Sequence, residues 1–324
     1  MLQIPVVPDL EGGIVFGTYG HEIRLVRHDA DGTRLGRLAL ADGPQDLTGD
    51  GAGRIIYAGL FDEGVSYGVV DQDLEPLGPR RVLPWDVPLL QYRVRIAGLA
   101  DGSIVAAGGG QRGVDRWVSR LNSDGDEVWT TPWPIGSEPD NVGDARVADV
   151  AVLADGTSAI ALTSGALHEG DLSLEAFGPE GQHAWAATIE DVRVRGLTAN
   201  ADTFIVSGQP SFSDGNAYGY SPDGMQVWSK PVALSGRGRA QPCSDTDIIV
   251  AADSGFARIA PDGTSTQRNF DLLELAQSQL DGDDVFDGLE LTRHDVVCTS
   301  EGDVIIVSDL SVITDPTGTC DTDG

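Results

Sequence analysis

Short apolar runs alternate with small polar turns along most of the chain. Val, Ile, Ala and Thr dominate the runs, and Gly, Asp and Pro bound them, as in the segment 101–108, Asp-Gly-Ser-Ile-Val-Ala-Ala-Gly. Short runs with this composition and these boundaries predict β-strands. Helical periodicity is confined to 271–280, where we expect one short helix in a loop. The pattern therefore predicts an all-β chain.

The strands belong to a repeating unit in which two kinds of turn recur. Equivalent positions of the first turn are Gly12, Gly53, Gly102, Gly156, Asp202, Thr246 and Gly302. They lie 41 to 56 residues apart, about 48 on average, which suits a four-stranded propeller blade. The second turn reads Pro-Asp-Gly in its clearest copies, 222–224 and 261–263. Proline fixes φ and glycine accepts a positive φ, as a hairpin turn requires.

Seven copies of both turns predict a seven-bladed β-propeller. Residues 1–313 are expected to form this single domain, and residues 314–324 an acidic, flexible tail. The last copy stops after its third strand, and an open blade exposes an unpaired edge. Residues 1–9 are therefore expected either to supply the missing outer strand or to form the innermost strand of the first blade. Six full blades plus an extra hairpin is the alternative count.

Two segments carry a family resemblance. Residues 120–130 and 220–229 each combine a strand, an Asp-Gly turn and a tryptophan. They resemble the repeat units of bacterial PQQ-like and delta-60-type β-propellers, in which a docking tryptophan recurs in each blade. The resemblance places Trp129, Trp185 and Trp228 at the docking position. A quinone-dependent dehydrogenase would also carry a calcium-binding carboxylate/amide set and adjacent cysteines, which this chain lacks, so the resemblance implies the fold and not quinone binding.

The charge of the chain limits its partners and its setting. Asp and Glu number 51 against 21 Lys and Arg, a formal net charge of −30, while 40% hydrophobic residues are enough for a packed core. Such acidity repels phosphate backbones, so we expect no nucleic-acid partner. No apolar stretch is long enough for a transmembrane segment. Strong acidity and arginine in place of lysine suit an exported protein, and we expect a monomer, secreted or in the cell envelope.

Arginines gather at the starts of the predicted innermost strands. They are Arg93, Arg95, Arg146, Arg193, Arg195, Arg237, Arg239 and Arg293. The i, i+2 spacing within each Arg-x-Arg places both side chains on one face of the strand. Guanidinium groups bind carboxylate, sulfate or phosphate in bidentate fashion. The set predicts an anion-binding channel mouth, to which Trp133 and His168 on neighbouring loops add ligand contacts.

A structural role for the same arginines is the alternative. They would then pair with nearby carboxylates and tie neighbouring blades together. The candidate partners are Asp144, Asp149, Glu190, Asp191 and Glu290. Both roles can coexist if only some of the arginines are paired.

These patterns predict a binding or scaffold module outside the cytoplasm. Its ligand would be an anionic small molecule, an acidic glycan or a peptide. A lyase or hydrolase that acts on an anionic substrate at the same face is the alternative, and the sequence leaves open whether the chain is an enzyme. No cofactor or metal is expected, although the oxygen-rich segments 29–32, 122–127 and 281–284 could hold Ca²⁺.

The three cysteines, Cys243, Cys298 and Cys320, permit one disulfide in three pairings. We favour Cys298–Cys320, because a free chain end gains most from a restraint. A Cys243–Cys298 bridge would instead join the last two blades. Either pairing implies an oxidising compartment.

Overall fold

Twenty-six β-strands make up the described part of the chain. The structure is a computed structural model, and it describes residues 5–9, 11–18, 24–29, 33–40, 44–50, 52–61, 64–83, 85, 93–109, 116–132, 146–163, 171–200, 202–210, 215–232, 240–243, 247–252, 255–260, 263–269, 289–298 and 304–312. Within these ranges no helix is long and apolar enough to cross a membrane.

The strands form seven antiparallel sheets in chain order. The first three are β1 (Val6–Pro8), β2 (Ile14–Thr18), β3 (Arg24–His28), β4 (Arg34–Ala39); β5 (Pro44–Gly49), β6 (Ile55–Phe61), β7 (Gly64–Val70), β8 (Arg81–Val82); and β9 (Arg93–Gly98), β10 (Ile104–Gly109), β11 (Trp117–Leu121), β12 (Glu127–Pro132). The next three are β13 (Arg146–Val152), β14 (Ser158–Thr163), β15 (Leu172–Phe177), β16 (His183–Ile189); β17 (Val192–Asn200), β18 (Thr203–Pro210), β19 (Gly215–Tyr220), β20 (Gln226–Val232); and β21 (Ala240–Pro242), β22 (Ile248–Ala252), β23 (Gly255–Ile259), β24 (Ser265–Asn269). The seventh consists of β25 (Leu289–Cys298) and β26 (Val304–Val312).

The first strand of each sheet lies at the hub of a ring. Each of β1, β5, β9, β13, β17, β21 and β25 contacts the next, and β25 also contacts β1. Apolar side chains fill the space between adjoining sheets: Ile56 of the second sheet packs in one buried cluster with Ile104 of the third, and Leu174 of the fourth with Phe204 of the fifth. Sheets arranged around a closed ring with cores between them are a β-propeller.

The number of complete blades differs from the seven predicted. Six sheets have four strands, and the seventh has two among the described residues. The alternative count, six blades plus an extra hairpin, is therefore the better description, and the prediction of seven blades was wrong. The reason is that β26 is one uninterrupted strand from Val304 to Val312, where the repeat pattern had placed parts of a second and a third strand.

The N-terminal strand and the last hairpin close the ring together. β1 pairs with β2, with Val6 opposite Phe16, and so forms the innermost strand of the first blade. This is the second of the two placements expected for residues 1–9. The hairpin lies beside it, because β25 contacts β1 on one side and β21 on the other.

Both repeated turns have the predicted backbone conformation. Gly12, Gly53, Gly102 and Gly156 of the first turn have φ between 82° and 89°. Gly125, Gly181, Gly224 and Gly263 of the second turn have φ between 78° and 87°. Glycine reaches this region without the steric cost of a Cβ, which explains why the motif recurs.

Each docking tryptophan covers the second turn of the following blade. Trp129 Nε1 donates a hydrogen bond of 2.8 Å to the carbonyl of Pro179, and Trp185 Nε1 one of 2.7 Å to the carbonyl of Pro222. The rings lie over the glycines of those turns, because a Cβ at Gly181 would fall 2.6 Å from Trp129. The tryptophan and the Pro-x-Gly turn therefore form a contact between neighbouring blades.

This contact predicts a difference between two glycines that share the same backbone conformation. A Cβ at Gly12 (φ +86°) meets no atom within 4 Å, whereas a Cβ at Gly224 (φ +87°) falls 2.7 Å from Trp185. Gly12→Ala is expected to cost about 1 kcal/mol for the positive φ alone. Gly224→Ala is expected to cost about 3 kcal/mol, because overpacking adds to that penalty.

Urea denaturation of both variants measures these costs. In a Trp185→Ala background the cost of Gly224→Ala should fall to that of Gly12→Ala. Equal costs of the two substitutions in the wild-type background would contradict the docking contact.

The disulfide joins Cys243 to Cys298, so the favoured pairing of Cys298 with Cys320 was wrong. Cys243 follows β21, Cys298 ends β25, and these two hub strands are neighbours. Their Cα atoms are 4.6 Å apart, and both residues are buried against Ile249. The bridge therefore ties the closing hairpin to the sixth blade.

Two predictions about the fold lie outside the described residues. They are the short helix at 271–280 and the acidic tail at 314–324.

Candidate anion-binding face

The arginines of the predicted site lie on hub strands wherever the structure describes them. Arg93 and Arg95 belong to β9, Arg146 to β13, Arg193 and Arg195 to β17, and Arg293 to β25. Side chains are described for the members on β9 and β17. Four predicted site residues lie outside the described ranges: Trp133, His168, Arg237 and Arg239.

Arg95 is a buried link between three blades. Its Nη1 donates a hydrogen bond of 2.6 Å to the carbonyl of Gln45 on β5, and its Nε donates one of 2.8 Å to the carbonyl of Ala148 on β13. Both acceptors are the extra residues of β-bulges. The pairing of β5 with β6 passes from Pro44 to Asp46 without Gln45, and the pairing of β13 with β14 passes from Val147 to Asp149 without Ala148. Only 7% of Arg95 is exposed, so this guanidinium has the structural role given above as the alternative.

Two buried carboxylates complete this inter-blade network. Asp46 Oδ2 accepts a 2.9 Å hydrogen bond from the amide of Ile96, and its Oδ1 lies 4.0 Å from Arg95 Nη1. Asp149 accepts a 3.0 Å bond from the amide of Leu197 on β17. Buried carboxylates are costly unless they are hydrogen-bonded, and here backbone amides of the next blade supply the bonds.

Arg193 and Arg195 are more accessible than Arg95. Arg193 is exposed, and Arg195 is half-buried. Arg195 Nη2 donates a hydrogen bond of 2.5 Å to Gln209 Oε1. Gln209 lies opposite Arg193 in the β17–β18 pairing. The bulge at Arg195 interrupts the two-residue alternation, so the expectation that both arginines share one strand face does not apply here. These two arginines and Gln209 form a polar group at the entry end of β17.

Charged residues of both signs stand at the arginine-bearing end, since the exposed carboxylates Glu190 and Asp191 directly precede β17. The arginines stand near the starts of the hub strands, whereas the repeated turns stand at the other end of the sheets and are acidic. Described acidic turn residues include Asp29, Asp71, Asp101, Asp124, Asp155, Asp202 and Asp223. The hydroxyl and the amide of Ser103 hold the pKa of Asp101 below its ordinary value, so this carboxylate is charged at neutral pH.

The oxygen-rich segment 122–127 builds a turn. Asn122 Oδ1 accepts hydrogen bonds from the amides of Asp124, at 3.0 Å, and Asp126, at 2.8 Å. Among the described residues no group of three or more His, Cys, Asp or Glu side chains is placed to hold a metal ion. The segment 281–284 lies outside those residues.

Three polar residues of this region were missed by the sequence patterns: Gln45, Asp46 and Gln209. Gln45 Oε1 accepts a 2.9 Å bond from the amide of Val94, in addition to the contact of its carbonyl with Arg95. Their roles depend on bulges and on the pairing of neighbouring strands. The one signal available in the sequence was the unusual Gln-Asp pair within a strand start.

Comparisons with known proteins give the fold. No family model and no curated protein matches this chain. BBS1N, in the crystal structure of its complex with ARL6DN soaked with mercury, matches with a TM-score of 0.54 and 15% identity over 97% of this chain and 92% of that chain. The β-propeller part of the resemblance is thus confirmed, whereas no sequence match supports PQQ-like or delta-60 repeats.

Two Hsv2 structures are more distant. KlHsv2 with loop 6CD replaced by a Gly-Ser linker has a TM-score of 0.42 and 10% identity over 82% of this chain and 98% of that chain. Hsv2 of Kluyveromyces marxianus has a TM-score of 0.42 and 7% identity over 83% and 98%.

Proposed function

We propose that the chain is a β-propeller binding or scaffold module that takes up an anionic ligand at the arginine-bearing end of its hub. The ligand class is a small molecule, an acidic glycan or a peptide that presents carboxylate, sulfate or phosphate groups. The observation that supports the proposal is the position of the exposed Arg193 and the half-buried Arg195 at the start of the hub strand β17.

Burial divides the arginines of the site into two groups. Arg95 is held by main-chain carbonyls of both neighbouring blades and maintains the hub. Arg193 is exposed and Arg93 is half-buried, so both residues are closer to solvent than Arg95. Arg146, on the strand between them in the ring, extends the same row. A row of arginines on three neighbouring hub strands matches a ligand with more than one anionic group.

An enzymatic role remains the second proposal. A lyase or hydrolase would need an acid or base beside the arginines. The buried carboxylates described nearest to them, Asp46 and Asp149, accept hydrogen bonds from main-chain amides and serve the contact between blades.

Export from the cytoplasm is part of the proposal. A disulfide between buried cysteines is typical of oxidising compartments and supports a secreted or cell-envelope location. The net charge of −30 disfavours nucleic acid as the ligand and self-association as the working state.

The test is equilibrium binding of two probes, citrate and tri-galacturonate, to the wild-type chain and to an Arg193→Ala/Arg195→Ala variant. Loss of two charge-assisted contacts is expected to weaken binding at least about tenfold. The melting temperature should change little, because Arg193 is exposed and Arg195 is half-buried.

Arg37→Ala on the exposed outer strand β4 is the matched control and should bind both probes as the wild type does. Unchanged binding by the double variant, or a large loss of stability in it, would instead assign the two arginines to the contact between blades.

A further inference from the structure

The two-stranded seventh sheet leaves one edge of β26 open in the described structure. β26 is nine residues long, and among the described residues it pairs with β25 alone. In the six other sheets the second strand from the hub has a third strand on that side. A long edge strand rich in Val and Ile is a template for pairing with another chain.

The residues that follow β26 in the sequence do not predict the missing strand. Residues 313–324 contain one large aliphatic residue, Ile313, with Pro316 shortly after it. The described third strands have a different pattern, such as Arg-Leu-Val-Arg-His in β3 and Trp-Val-Ser-Arg-Leu in β11. A segment without alternating apolar residues is a poor match for a partly buried strand.

The third strands of the complete blades show what fits such a position. Each buries apolar side chains fully, as Leu25 in β3 and Val118 in β11 do. Three of them also carry an arginine that pairs with an aspartate of the first turn in the same blade. The pairs are Arg27–Asp9 at 2.8 Å, Arg120–Asp101 at 3.5 Å and Arg258–Asp247 at 2.8 Å. An extended segment in which apolar residues alternate with arginine therefore suits the third position.

We propose that the open edge of β26 takes up an extended basic segment of a partner protein, which becomes the third strand of the seventh sheet. Main-chain hydrogen bonds to the edge would give affinity, and the alternating side chains specificity. The net charge of −30 favours a basic partner and opposes a second copy of this chain. This surface is distinct from the arginine-bearing face, and the proposal does not depend on anion binding there.

The test uses a synthetic peptide with the sequence of residues 116–122, Arg-Trp-Val-Ser-Arg-Leu-Asn, which contains the third strand of the third blade. Amide hydrogen exchange is measured on the full chain with and without the peptide in excess. Exchange in 304–312 is expected to slow at least about tenfold, because strand pairing protects amides that were exposed at the edge. The outer strand β20 should exchange at an unchanged rate.

A second peptide with proline in place of the central serine has the same charge and is the matched control. It cannot pair along the edge, so it should leave exchange in 304–312 unchanged. The proposal is overturned if neither peptide slows exchange, or if both slow it equally. It is also overturned if the amides of 304–312 are already protected from exchange in the free chain, because the edge is then covered by this chain itself. Light scattering tells whether the chain that covers the edge is the same monomer or a second copy in a dimer.

Discussion

Replacing Cys243 and Cys298 together by alanine is expected to lower the free energy of unfolding by about 4 kcal/mol. The bridge closes a loop with a sequence separation of 55 residues, and the chain-entropy cost of a loop of that length in the unfolded state is about 4 kcal/mol. Loss of the bridge is expected to weaken the closure of the ring, because the bridge holds the two-stranded hairpin against the sixth blade. Denaturation in guanidinium chloride under non-reducing conditions measures it.

Cys320→Ala is the matched control, and it should leave the unfolding free energy unchanged. Treatment with a reductant should lower the stability of the wild type and of this control to the same extent. If Cys320→Ala destabilised the chain while Cys243→Ala did not, the pairing of Cys298 with Cys320 would be the correct one.

Arg95→Ala is expected to cost a similar amount, about 4 kcal/mol. Truncation removes the donors to the carbonyls of Gln45 and Ala148 and leaves the buried carboxylate of Asp46 without the nearby positive charge. Breaking one side of a buried charged network typically costs about 3–5 kcal/mol. The free energy of unfolding from urea titration gives the result.

Arg193→Ala provides the comparison, because the residue occupies a similar place on its hub strand and is exposed. Its cost is expected to stay within about 0.5 kcal/mol, as for most surface substitutions. Similar costs for the two variants would show that burial does not separate a structural arginine from a ligand-binding one at this hub.

The local repeat was predictable because its chemistry is local. A positive φ at Gly102 or Gly224 needs glycine, and the chain marks each such turn with Asp-Gly or Pro-Asp-Gly. The tryptophans of the outer strands were also found in the sequence. Their target was not, because the turn under Trp185 belongs to the following blade and depends on how the sheets stack.

The blade count and the disulfide depended on distant parts of the chain. Turn-like motifs near the C-terminus predicted the strands of a seventh blade. The structure has one continuous strand, β26, between these motifs. The pairing of Cys243 with Cys298 follows from the contact of β21 with β25 across 55 residues of sequence. Spacing alone does not distinguish among three pairings.

The placement of the arginines on hub strands was predictable, and the role of each arginine was not. The Arg-x-Arg pattern located the starts of β9 and β17. Burial of Arg95 depends on bulges in β5 and β13, which turn main-chain carbonyls toward its guanidinium. An extra residue in a neighbouring strand leaves no trace in the sequence of the arginine's own strand.

A crystal structure of the full chain grown with citrate is the most direct test of the anion-binding account. We predict citrate at the entry ends of β9, β13 and β17, with carboxylate oxygens about 3 Å from the guanidinium nitrogens of Arg193 or Arg195. A structure in which both guanidinium groups are enclosed by Asp or Glu side chains, with no citrate at that end of the hub, would contradict it.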